Sequence, residues 1–428
     1  MAFQQGLSGL NAASKTMETI GNNVANSGTV GFKKSQAQFA DVFASSLIGS
    51  GASPIGIGTK LARVSQQFTQ ANISGTSNPL DMAINGDGFF RMSTDGAITY
   101  TRNGQFQLNK AGFIENASGA VLTGYPVGAN GLISNGAPEP LVITNTALAP
   151  RATSDYDVNL NLDSGSPDLG VVVFDPDDPA TYSNQTSVGV YDSLGNSHVL
   201  STYYVNRGPA APGDGNTWEV YAALDGALID GAGGVGSPIA EIVFSTAGVA
   251  LYSTDGVAAP PVPPAVTPVN ISVALANGAT SPQDISVNFA GTTQYALEFG
   301  VRDQTQDGYT AGNLVSFSLS PDGQIVGSYT NGQTNVLGQV ALASFANPNG
   351  LSPLGDNAWA ETAVSGPPLV TTPGNSGLGV VQSSAVEESN VDLTAELVAM
   401  ITAQRIYQAN AQTIKTEDQI MQTLVNLR

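Results

Sequence analysis

Asn390–Arg428 reads NVDLTAELVAMITAQRIYQANAQTIKTEDQIMQTLVNLR, with neither Gly nor Pro. Leu393, Met400, Tyr407, Ile414 and Met421 recur every seven residues, and Leu397, Ala411 and Val425 fall on the interleaved position. That is the apolar seam of a coiled-coil-like helix. Asn390 or Asp392 suits its cap, Glu396 its first turn and Arg428 the end of its dipole. A long helix with one narrow apolar stripe needs a partner, within the chain, in another copy, or in both.

A second seam lies at the opposite end. Phe3, Leu7, Leu10, Met17 and Val24 follow three-four spacing, with Ser14 and Gly21 on the same face and Ile20 beside it. Gln4, Asn11, Lys15, Glu18 and Asn22 take the polar side, and Asn26-Ser27-Gly28 ends the helix. Gly6 and Gly9 each cost about 1 kcal/mol relative to Ala, so this helix is weak alone. The expectation is that both ends order only when copies pack together.

Between the seams the period changes to two. Asn85-Gly86, Asp95-Gly96, Asn103-Gly104 and Asn130-Gly131 punctuate β-branched and aromatic runs. The pattern predicts a mainly β protein with α-helical termini. Its domains are discontinuous and nested: a terminal coiled-coil-like helix pair plus two β domains. The helical domain is expected at 1–27 and 388–428, connectors at 28–70 and 364–387, an inner β domain at 71–144 and 285–363, and an outer one at 145–284. The Pro-rich run at 258–269 predicts an extended loop.

Composition narrows the function. Of 428 residues only 11% are charged, the formal charge is −20, and Arg207 is the sole basic residue between Arg151 and Arg302. Nucleic acid and anionic membrane surfaces are therefore excluded as partners. The absence of Cys removes disulfides and thiolate chemistry. The amino terminus has no basic region followed by an apolar run, so no secretory signal is expected, and no run reaches the ~20 apolar residues of a membrane span.

No catalytic, cofactor-binding or metal site emerges. His198 is the only histidine and sits in a predicted hairpin. Asp175-Pro176-Asp177-Asp178 lacks the spacing of a calcium loop, and Gly56-x-Gly58-Thr59-Lys60 lacks the order of a phosphate loop. Carboxylate pairs for glycoside hydrolysis need only two acidic residues brought together, but nothing marks any pair.

Asn22-Asn23-Val24-Ala25-Asn26-Ser27-Gly28-Thr29-Val30-Gly31-Phe32-Lys33 is similar to the motif that follows the first helix of bacterial flagellar rod and hook proteins. Asn23, Ala25, Asn26, Thr29, Gly31, Phe32 and Lys33 carry the match. Leu80–Phe90, Tyr100–Phe106 with Leu122–Pro126, and Ser389–Leu393 with Ala403–Ala411 resemble further family segments in the same order. The chain's length and its returning segment around 322–351 resemble the hook branch. The resemblance implies a non-enzymatic subunit of a helical tube, a flexible universal joint passing motor torque to the filament. It further implies export by the flagellar type III route without a cleaved signal, and contacts with distal rod, hook cap, hook–filament junction and export proteins. Alternatives are a distal rod protein, which would not need 145–284, an extracellular β-rich adhesin, and last an enzyme.

Overall fold

The computed structural model describes residues 2–42, 56–128, 131–134, 136–143, 147–209, 215–255 and 265–426. The Gly/Ser-rich 43–55 and most of the Pro-rich run lie outside them. Both chain ends are helical: α1 spans Ala2–Ala25 and α2 spans Leu393–Asn426. Of the two candidate caps for α2, Asp392 performs the role, its carboxylate accepting from Thr394 N (2.9 Å) and Ala395 N (3.2 Å). The helices pack antiparallel, with Gly6 and Gly9 against Ile414 and Asn410, and Asn23 beside Glu396.

A Cβ on Gly6 would sit 3.1 Å from Ile414 Cγ1, and one on Gly9 only 2.6 Å from Asn410 Oδ1. The two glycines that weaken the isolated helix are thus what lets α2 approach. In the single chain the ends form a helix pair, contrary to the expectation that they order only in a polymer. No helix among the described residues is long and apolar enough to cross a membrane.

The segment read as a connector after α1 contributes two strands among its described residues. β1 (Ser35–Val42) and β2 (Gly58–Gln66) form an antiparallel ribbon, Ser35 opposite Gln66 and Val42 opposite Gly58. The 364–387 segment likewise contributes strands. Leu369–Thr371 pairs with Leu342–Ser344, Val380–Ser383 with Met82–Asn85, and Ala385–Glu387 with Ile73–Gly75. Backbone hydrogen bonds have to be satisfied somewhere. Here they are satisfied between the incoming and returning ends of the chain.

The chain divides into two units. The first holds residues 1–145, 315–328 and 334–428, the second 146–314 and 329–333. The expected boundary near 285 moves to about 314. Gln283–Asn288 and Thr293–Tyr295 pair parallel with Asp155–Asp163, and Gly300–Gln306 pairs with it antiparallel. A second sheet, in the order Asn184–Tyr191, Ser197–Pro209, Asn216–Leu224, Ala240–Phe244, Ala250–Thr254, completes this unit. Tyr156, Leu160, Tyr204, Trp218, Phe244 and Phe289 fill its core.

In the first unit the sheet runs from Leu314–Leu319 through Gln324–Tyr329, Thr334–Val340, Val121–Pro126, Phe89–Thr94, Ala97–Thr101 and Ala358–Ala360 to Ser352–Gly355. Phe68, Phe89, Tyr100, Phe345 and Trp359 pack edge to face beside it, with centroids 4.8–5.9 Å apart.

Candidate assembly interface and the charged latch beneath it

The buried stripe of α2 keeps the seven-residue period but not both of its expected positions. Met400 and Ile414 are partly covered, as is the expected interleaved Ala411, and Tyr407 lies at the margin of exposure, while a further row that turns inward is Glu396, Ala403, Asn410 and Glu417. The anticipated Leu397 is 48% exposed, and Val425's side chain lies outside the described residues. Met421 is bare because α2 runs past the start of α1. On α1, Gly6, Ala13, Ile20 and Asn23 are buried, Leu10, Met17 and Val24 half-buried, and Phe3 and Leu7 exposed.

Small and polar residues share the contact within the chain with Ile20, Met400 and Ile414, and a separate set of large apolar residues is left out. Leu393, Leu397 and Ile401 lie at i, i+4 and i+8, one stripe of the helix surface, and each is about half exposed. Val398 lies alongside at 60% exposure. On α1, Phe3 and Leu7 repeat the four-residue step. These are bare apolar stripes on two packed helices.

At the base of the helix pair, the motif residues tie the two chain ends together. Asn23 donates to Ser35 O (2.8 Å) and Glu396 Oε2 (3.3 Å) and accepts from Ser35 N (2.9 Å), linking α1, β1 and α2. Asn26 and Thr29 hold the turn after α1 through a side-chain hydrogen bond of 3.2 Å. Gly31 has φ +71°, and a Cβ there would stand 2.6 Å from Asn103 N, so both conformation and space require glycine. Phe32 is buried, whereas Ala25 is exposed and makes no contact that explains its place in the motif.

Lys33 is fully buried. Its Nζ donates to Glu387 Oε1 (2.7 Å) and Thr69 O (2.8 Å), and Arg102 reaches the other carboxylate oxygen at 3.1 Å. Ala71 N also donates to Glu387 Oε1 (2.8 Å), and Arg102 donates to Gly86 O (2.9 Å) while its guanidinium lies over the Phe89 ring. Burial pulls the Lys33 ammonium below the usual lysine range, Glu387 opposing that shift and Arg102 reinforcing it. Burial also lowers the Arg102 pKa, again against Glu387. Asn390 closes the arrangement, accepting from Lys34 N (2.7 Å) and donating to Gln67 O (2.8 Å). Sequence reasoning singled out Lys33 but gave no role to Arg102, and it missed Glu387 altogether.

In the second unit, His198 begins a strand between two carboxylates. Its Nδ1 lies 2.7 Å from Asp225 Oδ2 and its Nε2 3.4 Å from Asp192 Oδ2. Asp192 is buried and also accepts from Asn196 and Asn277 side chains. Among the described residues no group of three or more His, Asp and Glu is placed to hold a metal ion.

Paired terminal helices, a latched β body and an inserted β unit define a flagellar axial subunit, and family models agree. Residues 3–33 match the flagella basal body rod protein model, and 83–159 the flagellar hook protein FlgE/F/G D1 domain. Residues 159–309 match the flagellar basal body protein FlaE D2 domain, and 382–427 the flagellar basal body rod FlgEFG protein C-terminal model. The chain is 41% identical over 432 residues to the flagellar hook protein FlgE of Escherichia coli K12, spanning all of both chains. It is 32% identical to that of Borreliella burgdorferi, over all of this chain and 99% of the relative. The crystal structure of Helicobacter pylori flagellar hook protein FlgE2 shares the fold, with a TM-score of 0.53 at 13% identity, covering 73% of this chain and all of that one. The chain belongs to the flagellar hook protein family and is a hook subunit, not a rod protein.

Proposed function

We propose that this chain acts in the hook as a non-catalytic building block whose paired helices polymerise into the inner wall of a tube, with the β units arrayed around it as a flexible joint that passes torque to the filament. The observation that carries this reading is the bare stripe of Leu393, Leu397 and Ile401 on a helix already paired within its own chain. A monomer gains nothing from leaving it exposed, and neighbouring copies would cover it. The helix pair is the assembly element, and the buried Lys33–Glu387–Arg102 cluster fixes its base to the β body.

Joint behaviour requires stiffness in twist and softness in bending. Apolar helical seams supply a continuous inner wall, while neutral polar surfaces elsewhere allow neighbours to shift without strong adhesion. The partners that follow are further copies of the chain, then the distal rod, the hook cap, the hook–filament junction and the flagellar type III export apparatus, through which the subunit would leave the cell without a cleaved signal.

Electron microscopy of the purified chain tests the reading. Tubes should form from the full chain and be lost on removal of 391–428, with a soluble folded remainder. Tubes from the truncated chain would refute the role given to α2.

A further inference from the structure

In the second unit the loop after the Asp155–Asp163 strand ends in Val171-Val172-Val173, of which Val171 is 98% and Val173 84% exposed. Consecutive bare valines cost solubility and are usually hidden. These are instead held out rigidly. Arg207, the sole basic residue between Arg151 and Arg302, donates from Nη1 to Gly170 O (2.7 Å) and Val172 O (2.9 Å) while its Nε holds Glu219 at 2.7 Å. Tyr221 OH donates to the same Glu219 oxygen (2.8 Å), and the Phe174 ring stacks on Tyr221 with centroids 4.2 Å apart. Asp168 caps Gly170 N (2.8 Å), Leu169 N donates to Asn206 O (2.9 Å), and Val172 N to Leu169 O (3.1 Å).

One guanidinium nitrogen shared between two loop carbonyls, with an aromatic stack beneath, fixes a small apolar knob in place. Leu169 and Phe174 of this loop pack into a buried cluster with Tyr203, Val205, Tyr221 and Ala223, which anchors the loop; that packing does not use Val171 and Val173, which contribute almost nothing to the core.

We infer that the Val171–Val173 knob is a contact between copies of this chain in the assembled tube. The inference rests on the self-assembly proposed above. Area decides the occupant. The knob covers no more than a few hundred Å², against the ~1,200–2,000 Å² of a stable free-standing complex. A soluble partner could not be held by it. A second copy, already positioned by the helical seams, binds at high effective concentration and needs no more. A contact this small and apolar is also one that neighbours can break and remake as the hook bends.

The chain has no Cys, so single-cysteine variants report cleanly. Val171→Cys is compared with Val235→Cys, a 96% exposed position in the same unit, by maleimide labelling as purified monomer and as isolated hook. In the monomer both should label at the same rate. In the hook, labelling at Val171→Cys should slow by tenfold or more while Val235→Cys changes less than twofold. Equal labelling of the two in the hook overturns the inference. If Val171→Cys alone prevents hooks from forming, the knob is shown to be needed in the contact. If the unaltered chain forms no tubes by electron microscopy, the self-assembly reading fails first and takes the knob with it.

Discussion

Replacing Glu387 by Gln tests how the two ends of the chain are held. The carboxylate is completely buried and neutralises Lys33 at 2.7 Å and Arg102 at 3.1 Å. Gln keeps the volume and an oxygen for Ala71 N but leaves two buried cations without a counter-charge. Removing one partner of a buried pair costs about 3–5 kcal/mol, and with two cations stranded the upper part of that range is expected. At ~2–4 °C per kcal/mol for a unit of this size, the first unit should melt on the order of 10 °C lower.

The two tryptophans report separately, Trp359 in the first unit and Trp218 in the second. With 5-fluorotryptophan incorporated, fluorine NMR through a guanidinium titration should move the Trp359 midpoint and leave that of Trp218 in place. A pH arm sharpens the test. Glu387 at present resists the lowering of the Lys33 pKa by burial. Without it, the folded state binds fewer protons than the unfolded chain over a wider range below about 10.4. Stability of the variant should therefore climb from neutrality toward pH 10 more steeply than that of the parent. An unfolding free energy at Trp359 within 1 kcal/mol of the parent's at pH 7 would refute the reasoning.

Gly31→Ala forces a side chain into positive φ and against Asn103 N at 2.6 Å, so thermal unfolding should show a loss of ~2–4 kcal/mol confined to the first unit. Asn390→Ala removes its bonds to Lys34 N and Gln67 O; a cost of ~1–3 kcal/mol is expected, read as faster amide exchange at the start of α2. His198→Gln addresses pH. The hydrogen bond to Asp225 chiefly raises the His198 pKa, burial opposing it and Asp192 adding to it. That contribution is complete below about 6.5 and fades as pH rises through the raised value. Asp192 titrates low because hydrogen bonds from Asn196, Asn277 and His198 override its burial, and Asp225 is lowered chiefly by Val199 N, with His198 adding to it. Their contribution is present above about 3.9 and is lost on acidification. The second unit should thus be most stable between about pH 4 and 6.5. The variant should lose the alkaline decline at a cost under about 1 kcal/mol, followed at the Trp218 resonance.

The seven-residue period of α2 was legible, but which stripe meets α1 was not. Periodicity marks where apolar residues recur, and here only some of them, Ile20, Met400 and Ile414 among them, are covered within the chain, while Leu393, Leu397 and Ile401 are not. Gly6, Gly9 and Ala13 signal close approach only once the partner is known, and Asn410 does not look like a seam residue in isolation. A short helical or strand-like piece was legible in 28–70 but not the β1–β2 ribbon, because neither of its faces carries a continuous apolar row: Phe39, Leu61 and Val64 all remain partly exposed. Lys33 lay inside a recognisable motif. Glu387 sits in a Ser/Gly-rich stretch where an acidic residue reads as solvated surface, and only the fold places it between two cations.

The account stands most directly on the stripe that α2 leaves bare. The double variant Leu397→Ser/Ile401→Ser should be examined by electron microscopy alongside a melt of the monomer. Both side chains are about half exposed, so the melt should be unchanged, while tubes should be absent or sharply shortened. Tubes of normal number and length from the variant would contradict the claim that this stripe joins one subunit to the next.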